Sequence, residues 1–338
     1  MISWFRHLSP LYGEPLLATI WDGGDLVGIA PLSLWHGTMG RVPVRRIDLA
    51  GHNCEQGEML VAAGRPDVRV ALTRAVLSPD RIDVTILTGV EPGSGQERDI
   101  LDAAREKGRN VETLDYCYAV VDLSQGHAAY VARMSGNFRR NLRRHAEKMS
   151  RAGPVAIDRL RGFARPGELR PYLERIRDVS ARSWKAAAGP TNPAHHAFYS
   201  EVAERFASRG MVDIAVLRVR DRDAAFIFAL REGDRWFDGS ISYAEEFADL
   251  SPGTYLMHRL LEGLAAEGVK LVVSHGDHQY KLRWTNQFVW NERIFVFARG
   301  PRPRMARLMR FQLPRRFASL RPRTDAIPKP GVEDPGVG

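Results

Sequence analysis

The sequence predicts an α/β chain in which strands and helices alternate around a mixed sheet, and three observations carry that prediction. Short apolar runs bounded by glycine and aspartate turns recur over residues 16–120 and again from residue 211. Between them lie segments with apolar side chains at helical spacing, several closed by glycine. At 338 residues with 44% hydrophobic side chains, the chain is long enough for two compact domains, each with its own core.

In order, LLATIW (16–21), the turn Asp22-Gly23-Gly24-Asp25 and LVGIAPLSLW (26–35) read as a β-hairpin. Strands follow at VRRIDLAG (44–51), RIDVTILTG (81–89) and YCYAVVDLS (116–124), separated by the helices PDVRVALTRAVLS (66–78) and ERDILDAAREKG (97–108). Beyond Gly126 the spacing becomes helical. Tyr130, Met134, Phe138, Leu142 and Ala146 recur every four residues in a segment otherwise rich in Arg, Asn, His and Lys, an amphipathic basic helix with a break near Ser135-Gly136. PVAIDRL (154–160) is a strand, and residues 168–185 and 193–210 are helices. A meander of three strands (211–220, 224–232, 234–243) then leads through EEFADLSPG into a helix from Thr254 and the strand VKLVV (269–273).

The formal charge of +9 is concentrated in two places. Residues 133–151 hold seven Arg or Lys against one Glu, and residues 299–323 hold nine Arg and no acid, which leaves the rest of the chain net negative. Such local excess points to a particular anionic partner or surface. Cys54 and Cys117 have no metal-ligand spacing and read as free thiols, and no metal is expected. The opening MISWFRHLSP lacks the pattern of a secretory signal, and no run reaches the roughly 18–20 apolar residues of a spanning helix, so a cytoplasmic location is expected.

Two segments carry candidate chemistry. Ser251, Pro252, Gly253 and Thr254 stand between a strand and a helix. Serine suits the N-cap and proline the first turn, and a helix start with a glycine can hold a pyrophosphate, although the same residues also begin helices that bind nothing. The segment from Ser274 to Trp284 follows directly on an apolar strand and places a carboxylate, two imidazoles, a phenol and an ammonium close together. For acyl transfer to an amine, Asp277, His275 or His278 can take the proton of the nucleophile and Tyr280 can supply one to the leaving thiolate. Lys281 completes that cluster. The basic helix with Arg139, Arg140, Arg143 and Arg144 is a candidate for phosphate recognition, and Trp184 with Lys185 for substrate contact. No Ser/His/Asp elbow, Walker loop, HExxH motif or cysteine metal cluster is present.

Three of these segments in this order, SGNFRRNLRR (135–144), Ser251-Pro252-Gly253 and GDHQYKLRW (276–284), resemble the CelD-like acetyltransferase domain of the GNAT superfamily, which is related to the Fem-type aminoacyltransferases. The likeness spans roughly residues 2–298. It implies two tandem GNAT-like domains, 1–122 and 123–298, the second being the acyltransferase, followed by a basic and then Pro/Gly-rich tail, 299–338, with a disordered end. It also implies that residues 251–254 face the pyrophosphate of acyl-CoA and that Asp277, Tyr280 and Lys281 line the reacting centre. Two departures stand out: DLSPGT lacks the usual Gln/Arg-x-x-Gly-x-Gly/Ala loop, and Ser274-His275-Gly276 replaces the family's Asp-Phe-Gly-like strand end.

The expected activity is transfer of an acetyl or short acyl group from acyl-CoA to an amine, on an amino sugar or polysaccharide precursor. The competing readings are a Fem-type transferase using aminoacyl-tRNA, and a non-catalytic module of a polysaccharide synthesis complex. The module would dock at an anionic inner membrane face through Arg299–Arg323, with Met305, Leu308, Met309, Phe311 and Leu313 at the interface.

Overall fold

The structure, a computed structural model, describes residues 2–51, 58–79, 81–184, 193–274, 281, 284–285 and 287–314. They fall into two compact units, Met1–Cys117 with Trp290–Gly338, and Tyr118–Val289. In chain order the elements are α1 (Ile2–Tyr12), β1 (Glu14–Asp22), β2 (Asp25–Met39), β3 (Val42–Leu49), β4 (Leu60–Val61), α2 (Pro66–Val76), β5 (Val84–Val90), α3 (Gly95–Glu106) and β6 (Asn110–Asp122). There follow α4 (Gly126–Arg133), α5 (Gly136–Arg151), β7 (Val155–Gly162), α6 (Pro166–Ala181), α7 (Pro193–Ala207), β8 (Val212–Val219), β9 (Arg222–Glu232) and β10 (Arg235–Tyr243). A 3₁₀ turn (Glu245–Leu250), α8 (Pro252–Ala266), β11 (Leu271–Ser274), β12 (Gln287–Phe297), α9 (Pro301–Arg307) and a π turn (Leu308–Gln312) complete them.

In the first unit β1, β2 and β3 form an antiparallel meander, β3 runs parallel to β5, and β5 is antiparallel to β12. The β1–β2 hairpin closes where the sequence expects it. Asp22 pairs with Asp25 across Gly23 and Gly24, whose φ values of 58° and 99° are the left-handed angles that a two-residue turn demands. β12 shows how the sheet is covered on both sides. Ile294 and Val296 pack with Leu72, Val76, Ile100 and Ala104 from α2 and α3, while Phe295 and Phe297 turn the other way, toward Val84, Ile86, Ala306 and Phe311.

The segment beyond residue 299 therefore contributes to this core. The Phe311 ring lies 5.0 Å from that of Phe295 and 5.9 Å from that of Phe297, and it is 4% exposed, so it is not at a surface. Arg302 pairs with the buried Asp83 at 2.9 Å and Arg307 with the buried Glu112 at 2.8 Å. Gly40, with φ 57°, lets the β2–β3 turn pass beneath this segment. A Cβ there would lie 2.6 Å from Met309 Cβ and 2.8 Å from the Arg310 nitrogen. Phe311→Ala is expected to lower stability by about 3–5 kcal/mol, read as an earlier urea midpoint.

In the second unit the sheet order is β6, β11, β10, β9, β8, β7, with β10 and β11 parallel and the other pairs antiparallel. The near-continuous apolar runs of β8 and β9 reflect burial on both faces. Ala215, Leu217, Ala225 and Ile227 pack beneath α4, α5 and α8, and Ile214, Val216, Phe226 and Phe228 beneath α6 and α7. The basic helix breaks at Met134-Ser135, as read from sequence, with Ser135 Oγ accepting the Phe138 N–H at 3.1 Å. Its apolar stripe ends differently: Met149 is buried and Ala146 is exposed. Four-residue spacing overshoots a helical turn by about 40° per step, so the stripe rotates away from the core before residue 146.

One ionic network fixes the far end of α8. Arg159 of β7 forms a fork on Asp213 of β8, at 2.7 and 2.5 Å, and reaches Glu267, the residue following α8, at 2.7 Å. Asp213 also accepts the Trp236 indole N–H at 2.9 Å, and Arg231 donates to the Glu267 backbone carbonyl at 3.0 Å. The Asp213 side chain is 3% exposed. Asp213→Ala leaves the Arg159 charge without that partner, and a loss of about 3–5 kcal/mol in denaturant unfolding is expected.

Candidate active site

The start of α8 and the first half of α5 enclose a cavity of about 400 Å³. From α5 and its cap come Ser135, Asn137, Phe138, Asn141, Leu142, Arg144 and His145, and from the start of α8 come Ser251, Thr254 and His258. No acid is among these lining residues. Hydroxyl and amide groups, one guanidinium and two imidazoles thus converge at a helix N-terminus, whose dipole adds positive potential. The two segments that the sequence singled out separately, 135–144 and 251–254, meet here.

Local geometry explains how the helix start is kept open. Ser251 stands at the N-cap position but in the left-handed region, φ 53° and ψ 50°, and its hydroxyl makes no cap bond. Side-chain capping requires an extended N-cap residue, so the first N–H groups of α8 receive no bond from Ser251. A non-glycine residue in this conformation costs about 1–2 kcal/mol, and such strain concentrates at ligand clamps. Gly253 borders open space. Among the described residues, a Cβ built on it meets only Tyr243 Cδ1, at 3.9 Å. The turn before α8 is held from two sides, by the Lys148 ammonium donating to the Asp249 carbonyl and by Arg182, whose guanidinium pairs with Glu246 at 2.5 Å while its carbonyl accepts the Glu245 N–H at 2.9 Å.

The four arginines of the basic motif have different surroundings. Arg144 lines the cavity. Arg139 donates to the carbonyls of Ala132 and Met134, at 3.1 and 2.6 Å, and so closes the end of α4. Arg140 and Arg143 are exposed, outside the cavity lining. Trp184, three residues beyond α6, is 53% exposed. His275, Asp277, Tyr280 and Lys185 lie outside the described residues, as do His278 and Cys54. Lys281 is described and is 1% exposed, and its carbonyl accepts the N–H groups of Trp284 and Thr285. Among the described residues no group of His, Cys, Asp and Glu is arranged to hold a metal ion.

Sequence reasoning missed several groups. His258 lies four residues beyond the candidate Thr254 and shares its helix face, a spacing legible once the helix start was known. His258 stacks edge-on against Phe138, with ring centroids 5.2 Å apart, which joins the two helices under the cavity. Asp238 at the end of the β10–β11 pairing, and the bulge at Gly239, left no motif. The pairing of β10 with β11 runs from Arg235/Leu271 to Asp238/Ser274, while β10 continues to Tyr243 against β9. β10 thus leads on to the turn before α8. Residues 284 and 285 are tied to this region: the Tyr130 hydroxyl donates to the Trp284 carbonyl, and Thr285 Oγ1 to the Val120 carbonyl at 2.5 Å. Burial pushes the Tyr130 phenol above its usual pKa, so it remains a donor throughout the accessible range.

This arrangement of parallel strands, an intervening helix and an anion-ready helix start agrees with the comparison by sequence. The family model described as an acetyltransferase (GNAT) domain matches residues 136–282. Residues 136–282 are thus similar to a GNAT acetyltransferase domain. The chain is accordingly an acyltransferase with a mixed α/β, GNAT-like fold. Among curated proteins none matches it by sequence. Solved structures share the fold at low identity, and cover both units. L-PGS from Bacillus licheniformis is 14% identical with a TM-score of 0.55, over 92% of each chain. FemX is 8% identical with a TM-score of 0.54, over 92% of this chain and 94% of that one. A C-terminal domain from Agrobacterium fabrum, assigned to a lysylphosphatidylglycerol synthetase, is 12% identical with a TM-score of 0.53, over 89% of each.

In the second unit, Tyr130→Phe removes the only hydroxyl of that side chain and leaves the Trp284 carbonyl without this donor. A loss of about 1–3 kcal/mol is expected, measured by equilibrium unfolding in urea.

Proposed function

We propose that the protein transfers an acetyl or other short acyl group from acyl-CoA to an amine. The observation that carries this reading is the cavity between α5 and α8, where a strained, uncapped helix start faces Arg144 and an acid-free lining. A pyrophosphate fits such surroundings, because backbone N–H groups, the helix dipole and a guanidinium all favour negative charge. From Asp238 to Tyr243, β10 extends by five residues, about 17 Å at roughly 3.3 Å each, to the turn before α8. An extended pantetheine arm spans a comparable length, so phosphates at α8 put the thioester near Asp238 and Ser274. Asp277, Tyr280 and Lys281 are proposed to line the reacting centre and Ser251–Thr254 to hold the cofactor phosphates. The acceptor amine is proposed to belong to an amino sugar or polysaccharide precursor, as in CelD-like proteins.

A second reading has support of its own. The loop DLSPGT lacks the glycine pattern usual for CoA phosphates, and the fold is shared with FemX and L-PGS. In this reading the cationic groups at α5 track the phosphates of an aminoacyl-tRNA donor, and affinity falls steeply with salt.

A thermal-shift titration with acetyl-CoA, longer acyl-CoAs and free CoA separates the two. A rise in melting temperature with acyl-CoA is expected for the wild type. Gly253→Val puts its side chain into open space, so it is expected to melt near the wild-type temperature without ligand and to lose at least about tenfold in acyl-CoA affinity, the equivalent of one 1.4 kcal/mol contact. No shift with any CoA compound, together with salt-sensitive tRNA binding, would favour the second reading.

A further inference from the structure

We infer that the part of the cavity beyond its phosphate end is a subsite for an adenine base, read by the carboxamide of Asn141; the inference rests on the acyl-CoA reading and names the portion of that donor which the cavity encloses. The cavity has two unlike ends. Near the start of α8, Lys148 of α5 donates to the Asp249 carbonyl, and farther along α8 the ring of Phe138 meets that of His258, with centroids 5.2 Å apart. The two helices therefore run antiparallel, with Arg144 and His145 toward Ser251 and with Ser135, Asn137 and Phe138 toward His258.

The first end suits phosphate. Pro252 has no N–H, and those of Ser251 and Tyr255 are bonded to the carbonyls of Ala248 and Ser251, which leaves the N–H groups of Gly253 and Thr254 to a ligand. Arg144, on the facing helix, has no ion-pair partner among the described residues. The lining on α5 then continues from Arg144 to Asn137, seven residues or roughly 10 Å, which is longer than a phosphate group.

This second part has a different chemistry. Asn137, Asn141 and Arg144 follow one another at four and three residues and so share a helix face, while Phe138 and Leu142 add apolar surface. An amine acceptor would bring positive charge and meet no carboxylate in this lining. What fits is a flat, uncharged group that both donates and accepts hydrogen bonds, as a nucleobase does. Asn141 is half-buried, and its carboxamide has no hydrogen-bond partner among the described residues, so a donor and an acceptor stand side by side for a ligand. Asn137 is exposed, and its carbonyl is 3.5 Å from the Arg140 guanidinium. Adenine answers a carboxamide with its N6 amino group as donor and N7 as acceptor. Guanine offers acceptors at both O6 and N7, so one of them would face the carboxamide oxygen. In acyl-CoA the pyrophosphate joins the pantetheine arm on one side to adenosine on the other. With the phosphates at α8 and the arm along β10, adenosine is left to the α5 side.

The test is isothermal titration calorimetry of the full chain with adenosine 3′,5′-bisphosphate, which carries the base and ribose of CoA without the arm, and with guanosine 3′,5′-bisphosphate as the base control. The adenosine compound is expected to bind at least about tenfold more tightly, the discrimination of one bidentate contact, and to be displaced by acetyl-CoA. Asn141→Ala is expected to raise its Kd by about tenfold and to leave that of the guanosine compound unchanged; alanine is the better helix former, so α5 is retained. The preference of the wild type between the two bases needs no variant. Equal Kd values for the two compounds, no binding of either, an Asn141→Ala variant that binds the adenosine compound as the wild type does, or one that loses both compounds equally would each overturn the proposal. These four results leave the acyl-CoA reading standing wherever acetyl-CoA itself raises the melting temperature. Displacement by an RNA ending in CCA and not by acetyl-CoA would give the subsite to a terminal adenosine of RNA and remove both.

Discussion

The buried carboxylate of Asp213 is the constraint on which the second unit depends. Its two oxygens hold the guanidinium of Arg159 and the indole of Trp236, and through Arg159 the network reaches Glu267 at the end of α8. Strands from three positions in the sheet and the C-terminus of the long crossover helix are thereby locked together. With that end fixed, α8 can only begin where β10 delivers it, beside α5. A group on α8 such as Thr254 or His258 consequently has a defined place relative to Ser135 and Arg144, although no hydrogen bond of its own is needed to hold it there. Two charges buried together gain little net stability over an apolar pair, so the value of such a network lies in geometry more than in free energy.

Positive charge is used in two ways. Arg302 and Arg307 in the C-terminal segment neutralise buried acids, as does Arg159 in the second unit. These arginines are structural. By contrast, Arg144 faces an acid-free cavity, while Arg140 and Arg143 remain exposed beside it. A tally of basic residues in the sequence merges the two uses, because pairing depends on acids more than 50 residues away, as for Arg159 with Asp213 or Arg302 with Asp83.

That distance marks the limit of what was legible. The β1–β2 hairpin, the break at Ser135, the meander and the start of α8 all follow from local rules of turn residues, caps and periodicity, and they are where the sequence puts them. The two lobes of the cavity were each visible as motifs for the same reason. Their meeting was not, since it depends on where α8 packs. Asp238 escaped notice because a buried aspartate within a strand carries no local signature; only the register with Ser274 reveals its place. α1 and α9 were missed because short helices containing or starting with proline, such as α1 with Pro10 and α9 with Pro301, look like loops until Leu8 or Ala306 is seen buried. The apolar side chains after residue 299 looked available to a membrane, and for Phe311 the reason it is not is the facing pair Phe295 and Phe297.

The first unit is assembled from both ends of the chain, with the second interrupting it. On a ribosome the consequence is an order of events. Residues 118–289 are contiguous and can fold as soon as they emerge, whereas Val84 and Ile86 must wait for Phe295, Phe297 and Phe311, more than two hundred residues later, before their face of the sheet is covered. Until then, β5 presents an uncovered apolar edge and face. The nascent chain thus spends most of its synthesis with its earliest strands in need of protection, and the second unit is finished before the first.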